Sequence, residues 1–336
     1  SNSDMPCSER GAERPAARVV GGKRRSWLRS LSAAHEKLVA SIIRPPRVEY
    51  EISDLGPPIR RVGTRLVERE DYVVTNRRGE RLACSRWAPR GSRPTAVVVY
   101  LHSNSSCRLA AVRSPVLETA VKANCALIAL DFSGCGRSQG AYVTLGVEEK
   151  DDVACVVDDA LKRTPRPKIV LWGRSMGAVS ALLYAGTADA VDALILDSPF
   201  SSMRQLVTDV AKTTLPRVPR CCVSCLSWQL NRVARKRTRC DVLRVDAVAA
   251  ARRSCKPALF IVAERDALAP PRTHAHLLAT EYKGLARLTA FDGEHNSPRP
   301  QPVYDAVHAF LATVLNGGTF HHLPCDETTW LNSLQT

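Results

Sequence analysis

A chain of 336 residues with 45% apolar and 24% charged side chains can bury a large core, which excludes a disordered or fibrous protein. Its formal net charge of +15 is uneven, because roughly 20 of the 48 Lys and Arg lie in the first 47 residues and between about 204 and 244. Two basic zones of this kind favour acidic surfaces: anionic lipid, nucleic acid or an acidic partner.

Twelve cysteines could suggest a disulfide framework. A chain this long needs no staples, however, and Cys125 and Cys155 fall in predicted core elements, so reduced thiols and a cytoplasmic setting are expected. No early segment combines a charged start, an apolar core and a small-residue cleavage site. No run approaches the roughly 18 apolar residues of a membrane span. The expectation is a soluble chain, with peripheral membrane attachment left open.

Residues 1–25 lack periodicity and read as a basic disordered tail. In 26–60, Trp27, Leu28, Leu31, Ala34, Leu38, Val39, Ile42 and Ile43 recur at helical spacing, Ser26 can cap the start, and Pro45-Pro46 ends the helix before a Pro-rich linker. This amphipathic helix either packs on its own domain or lies on an anionic membrane.

A catalytic domain is expected over 61–316. Asp71–Thr75 and Leu82–Trp87 flank Asn76-Arg77-Arg78-Gly79-Glu80 and predict an antiparallel hairpin. Short apolar runs follow at 96–101, 126–131, 168–172, 193–197, 258–263 and 286–291, as in parallel strands buried on both faces. Helical patterns separate them at 108–123, 148–163, 175–185, 271–281 and 302–315. The fold class is α/β: a mostly parallel sheet with an N-terminal antiparallel hairpin and helices on both faces. Residues 198–256 are too many for a crossover loop and predict a helical cap or lid that selects the substrate. Residues 317–336 read as a tail.

Gly173-Arg174-Ser175-Met176-Gly177 follows the apolar run Ile169–Trp172 and precedes a helical pattern. Such a strand–turn–helix is the setting in which G-x-S-x-G forms a nucleophile elbow with an exposed serine hydroxyl. A serine at neutral pH needs a base, and the base needs an acid to fix its tautomer. His295, in the loop after the last strand, is the candidate base. Asp266, after the strand 258–263, is the favoured acid; Asp197, at the end of 193–197, and Glu264 are alternatives, Asp197 having a sufficient role in the turn that follows it. Oxyanion donors are expected from the backbone of Met176 and from Asn104 in the loop Leu101-His102-Ser103-Asn104, which His102 orients; Ser103 stands where enzymes that resemble this pattern open the loop with His-Gly.

The glycines of Asp131–Ser138 lack the phosphate-loop spacing and read as a tight turn. No cofactor and no metal is required. Cys221, Cys222 and Cys225 form a single C-x-x-C beside Arg232, Arg235, Lys236, Arg237 and Arg239, for which zinc, lipidation and plain thiols are the alternatives, plain thiols being the commonest. His321, His322 and Cys325 belong to the tail.

Taken together, IRPPRVEY (43–50), LHSNSSCR (101–108), LDFSGCGRSQG (130–140), LWGRSMGAV (171–179), LDSPFSS (196–202) and GEHNSPRP (293–300) resemble the α/β-hydrolase superfamily. Within it they are similar to the serine aminopeptidase-like and prolyl-oligopeptidase-like hydrolases, in a eukaryotic branch known from plants and protists. The resemblance spans roughly 43–315 and implies an α/β-hydrolase fold with a triad of Ser175, Asp266 and His295. Val262-Ala263-Glu264 departs from the His-Gly-Glu that often precedes the acid in such proteins. The expected function is a serine hydrolase of an ester, thioester or amide, with a serine exopeptidase or a catalytically silent binding protein as alternatives. Expected partners are a small-molecule, acyl or peptide substrate and an anionic membrane met through the basic lid and N-terminal helix. No specific nucleic acid is expected, for want of interleaved aromatics.

Overall fold

The computed structural model describes residues 43–92, 94–164, 166–214 and 220–318, apart from certain side chains of 214–230. The tail 1–25, all but the last residue of the helix expected over 26–43, His321, His322, Cys325 and the side chains of Cys221, Cys222 and Cys225 lie outside the described residues.

Among the described residues nine strands form one sheet: β1 (Ile59–Val62), β2 (Arg65–Thr75), β3 (Arg81–Pro89), β4 (Ala96–Leu101), β5 (Ala126–Leu130), β6 (Lys168–Arg174), β7 (Ala193–Asp197), β8 (Ala258–Ala263) and β9 (Ala286–Phe291). Their spatial order is β1-β2-β3-β5-β4-β6-β7-β8-β9. The pairs β1–β2, β2–β3 and β3–β5 are antiparallel, and every later pair is parallel. β4, β5, β7 and β8 are buried along their whole length, so no polar alternation is tolerated.

Successive residues of a strand point to opposite faces, and β4 divides itself accordingly between two cores. Val97, Val99 and Leu101 join the cluster formed with α3 (Glu149–Arg163) and α4 (Met176–Ala185). Val98 and Tyr100 join the other, with α2 (Val116–Lys122) and α9 (Gln301–Leu315). β5 lies on one side of β4 and β6 on the other, so their connections diverge at the carboxyl end of β4. Ligands of open α/β sheets bind at such a switch point.

The helix expected over 108–123 is broken into α1 (Ala110–Arg113) and α2. Pro115 has no N–H to continue the ladder, and Ser114 is extended (φ −126°, ψ 165°), with its hydroxyl donating to the Ala110 carbonyl at 2.7 Å. The helix expected over 271–281 begins as a 3₁₀ turn, Pro271–Thr273, and resumes as α8 (Ala275–Thr280) after His274. Between β7 and β8 stand α5 (Met203–Thr214), α6 (Arg220–Thr238), a 3₁₀ turn at Val242–Arg244 and α7 (Ala247–Ala251). No helix among the described residues is long and apolar enough to cross a membrane.

Candidate active site

Ser175 is the single residue between β6 and α4, with φ 51° and ψ −113°. A positive φ is strained for any residue with a Cβ, and the surroundings over-determine it. The Ser175 N–H donates to the Asp197 carbonyl at 2.8 Å, and the Ser175 carbonyl accepts from the Val179 N–H at 3.0 Å. A Cβ on Gly173 would collide with the backbone of Gly177 and Ala178, and one on Gly177 with the carbonyls of Leu101 and His102. The two glycines therefore let the helix start turn back over its strand and press against the loop after β4.

His295 comes from the loop between β9 and α9. Its Nε2 lies 2.9 Å from Ser175 Oγ, and its Nδ1 lies 2.6 Å from Asp266 Oδ2. An ionised Asp266 only accepts, so Nδ1 carries the proton and Nε2 is left to receive the serine hydroxyl. The other oxygen of Asp266 accepts the amides of Leu268 (3.0 Å) and Ala269 (2.7 Å), which fixes the carboxylate. All three side chains are buried. The structure thus brings Ser175, His295 and Asp266 into one hydrogen-bonded line across 120 residues of chain. That arrangement can pass a proton from hydroxyl to imidazole while the carboxylate stabilises the resulting imidazolium.

The alternative acids are elsewhere. Glu264 is exposed. Asp197 faces Arg299, whose Nε and Nη2 reach the carboxylate at 3.0 and 2.7 Å. Nη1 of the same guanidinium donates to the carbonyls of His295 (3.1 Å) and Ser297 (2.6 Å), and Nη2 to Ser198 Oγ (3.0 Å). Arg174 adds a bond to the His295 carbonyl at 3.2 Å. Asp197 therefore braces the back of the histidine loop. The sequence analysis gives Arg299 no role, although a cation four residues past the candidate base and an aspartate at the end of 193–197 not needed as the acid were the available signal.

The loop after β4 is oriented by His102, which is wholly buried. Its Nε2 accepts the Phe132 amide at 3.0 Å and its Nδ1 donates to the Ser103 carbonyl at 2.8 Å. Burial pushes its pKa down and keeps the ring neutral. Asn104 Oδ1 accepts the Ser105 amide at 3.0 Å. Met176 opens α4 ahead of the first helical bond, Val179 to Ser175, so its N–H precedes the ladder. The contact at Gly177 sets this helix start beside the Leu101–His102 backbone. The turn Asp131–Ser138 is tied both to itself and to its surroundings: the Asp131 carboxylate accepts the amide of Arg137 (2.9 Å) within the turn and, outside it, the amide of Arg108 (2.7 Å) and the Tyr50 hydroxyl (2.7 Å).

Comparison with known proteins adds to this geometry. The model of the family "Serine aminopeptidase, S33" matches residues 92–242, which hold the elbow and the loop after β4 but end before Asp266 and His295. The chain is 33% identical over 165 residues to the uncharacterized protein YqkD of Bacillus subtilis, and 28% identical over 185 residues to protein bem46 of Schizosaccharomyces pombe. These stretches are 48% and 54% of this chain; it spans about half of either relative, 52% and 54%. The Pyrococcus furiosus esterase Pf2001 superposes with a TM-score of 0.61 at 20% identity, over 83% of this chain and 99% of the esterase. The chain has the α/β-hydrolase fold. As in the α/β-hydrolase superfamily generally, the elbow serine sits at the sheet's carboxyl edge with its two partners on later loops.

Proposed function

We propose that the protein is a serine hydrolase that cleaves an ester, thioester or amide through an acyl-Ser175 intermediate. The observation that carries this reading is His295 standing between Ser175 Oγ and Asp266 at hydrogen-bond distance from both. In the first step His295 Nε2 takes the hydroxyl proton as Ser175 Oγ bonds to the substrate carbonyl carbon, giving a tetrahedral oxyanion. The amides of Met176 and Asn104 are its proposed donors. Collapse breaks the bond to the leaving group, which receives the proton from His295. Water then repeats the sequence: its proton passes to His295, its oxygen bonds to the acyl carbon, and Ser175 leaves reprotonated.

The test is labelling by a fluorophosphonate probe together with turnover of p-nitrophenyl acyl esters. Ser175→Ala should abolish labelling and lower kcat by about 10⁴ or more. Equal labelling of the variant and the native chain would refute the assignment. The family described as serine aminopeptidases makes an exopeptidase the competing reading. Rates on aminoacyl anilides against acyl esters, both dependent on Ser175, separate the two.

A further inference from the structure

We propose that α6 is a docking helix for an anionic lipid bilayer. Between 198 and 256 the chain carries thirteen Lys and Arg against three Asp and no Glu. α6 itself, RCCVSCLSWQLNRVARKRT, contains no acidic residue. Its inner side is marked by Asn231 and Ala234, both buried; Ala234 packs with Ile43 and Val242, and Asn231 donates to Asp241 at 2.8 Å. Trp228, Arg232 and Arg235 follow at i, i+4 and i+7, which is one stripe of a helix, and all three are exposed, as are Lys236 and Arg237.

Trp228 is the signal that charge alone does not give. It places a large ring, 59% exposed, on an otherwise polar and basic face. The Arg232 guanidinium stands 5.6 Å from its ring centroid, so indole and cation share one side. Indoles settle at the headgroup level of a bilayer, where Arg and Lys stems lie along apolar surface and their heads reach lipid phosphates. A helix carrying both lies in the plane of the interface. A nucleic acid would use the same cations, but a duplex keeps its bases stacked inside and offers a single indole no apolar layer to enter. α6 also belongs to the segment that leaves β7 at Asp197, whose carbonyl holds the Ser175 amide. Docking through it would bring acyl chains of the membrane to that end of the sheet. The docking itself stands whether or not Ser175 is a nucleophile.

The full chain should sediment with phosphatidylcholine vesicles only when phosphatidylserine is included, with affinity falling as salt rises. Arg232→Glu, Arg235→Glu and Lys236→Glu together should weaken binding at least about 100-fold, at roughly a tenfold loss or less per charge removed and more for its reversal. Trp228→Ala should weaken it about tenfold with the salt dependence unchanged. Brominated lipid should quench native fluorescence more than that of Trp228→Phe. Circular dichroism reports folding; if the triple Glu variant is unfolded, the triple Gln variant carries the same comparison. Three results each overturn the proposal: binding by the folded charge variant equal to native, which would assign attachment to another basic segment; equal binding to neutral vesicles; or displacement from vesicles by random duplex DNA together with no effect of Trp228→Ala.

Discussion

Ser175 pays for its place at the tip of the elbow in backbone strain of about 1–3 kcal/mol, and four neighbours hold it there. Gly173 and Gly177 clear the space, while the Asp197 carbonyl and the Val179 amide pin the peptide on either side. Two aspartates lie near this residue with opposite duties, and amide substitution distinguishes them. Asp266→Asn keeps the shape but offers His295 Nδ1 an amide that can favour the wrong tautomer, so kcat should fall by about 10⁴ with the melting temperature little changed. Asp197→Asn leaves the buried Arg299 charge without its counter-ion. It should lower stability by about 3–5 kcal/mol, with the kcat of the folded protein reduced about tenfold or less. Thermal melts and single-turnover rates on both variants check the pair; a 10⁴-fold loss on Asp197→Asn and none on Asp266→Asn would reverse the roles.

At the scale of elements, the loop between β9 and α9 is held by one guanidinium of its own that reaches across to the end of β7. Arg299 spans Asp197, Ser198 and the carbonyls of His295 and Ser297, and its charge also lies 4.9 Å from the Phe291 ring centroid. Arg299→Lys keeps the charge but cannot form this fork. It should lower kcat about 10- to 100-fold through a loosened His295, leave KM nearly unchanged, and retain more stability than Arg299→Met. Equal kcat for Arg299→Lys and the native chain would confine Arg299 to folding.

This arginine also marks where reading the sequence stops. The runs 96–101, 193–197 and 258–263 coincide with strands residue for residue, because strands buried on both faces read as nearly continuous apolar runs; 286–291 also coincides although β9 is a half-buried edge strand, and Gly173–Gly177 marked the elbow because its glycines are sterically required. By contrast β1 reads Ile-Arg-Arg-Val and the outer half of β2 reads Arg-Leu-Val-Glu-Arg-Glu, with no apolar run; β1 exists because it pairs with β2, and that half of β2 because it pairs with β1 and β3. The Asp197–Arg299 contact joins residues 102 apart, and no local pattern encodes it. The break at Ser114-Pro115 was legible and outweighed by the helical period around it.

Over the whole molecule, the segment between β7 and β8 is fastened to the loop after β8 through a third buried histidine, one the sequence did not suggest. His274 is wholly buried; its Nδ1 accepts the Ser201 amide at 3.0 Å, so Nε2 holds the proton and faces Asp209 Oδ2 at 3.4 Å. That separation, with poor alignment, leaves Nε2 without a hydrogen bond. Asp209, on α5, is instead satisfied by Gln205 (2.8 Å), Lys212 (2.7 Å) and Thr273 (2.9 Å). Burial drives the His274 pKa down to about 4; the nearby carboxylates of Asp209 and Asp266 oppose that shift, while His295 and Lys212 reinforce it.

The sign of the linkage follows from that depression. Between about 6.5 and 4 the unfolded chain binds a proton at residue 274 that the folded chain refuses, so unfolding gains as pH falls. The stabilisation is complete above the ordinary imidazole range and is lost progressively on acidification toward pH about 4, on the order of 3 kcal/mol in all. Asp209 acts in the same direction: burial raises its pKa, but the bonds from Lys212, Gln205 and Thr273 outweigh burial and hold it low, so it too favours the folded state until protonated. His274→Gln separates them, since an amide can accept from Ser201 and donate toward Asp209 without titrating. Urea unfolding from pH 7 to 4.5 should show a shallower loss of stability for the Gln variant than for the native chain, the difference opening below pH about 6.5. Parallel curves would mean that carboxylates alone set the acid limit and that His274 takes up its proton in the folded chain as readily as in the unfolded one.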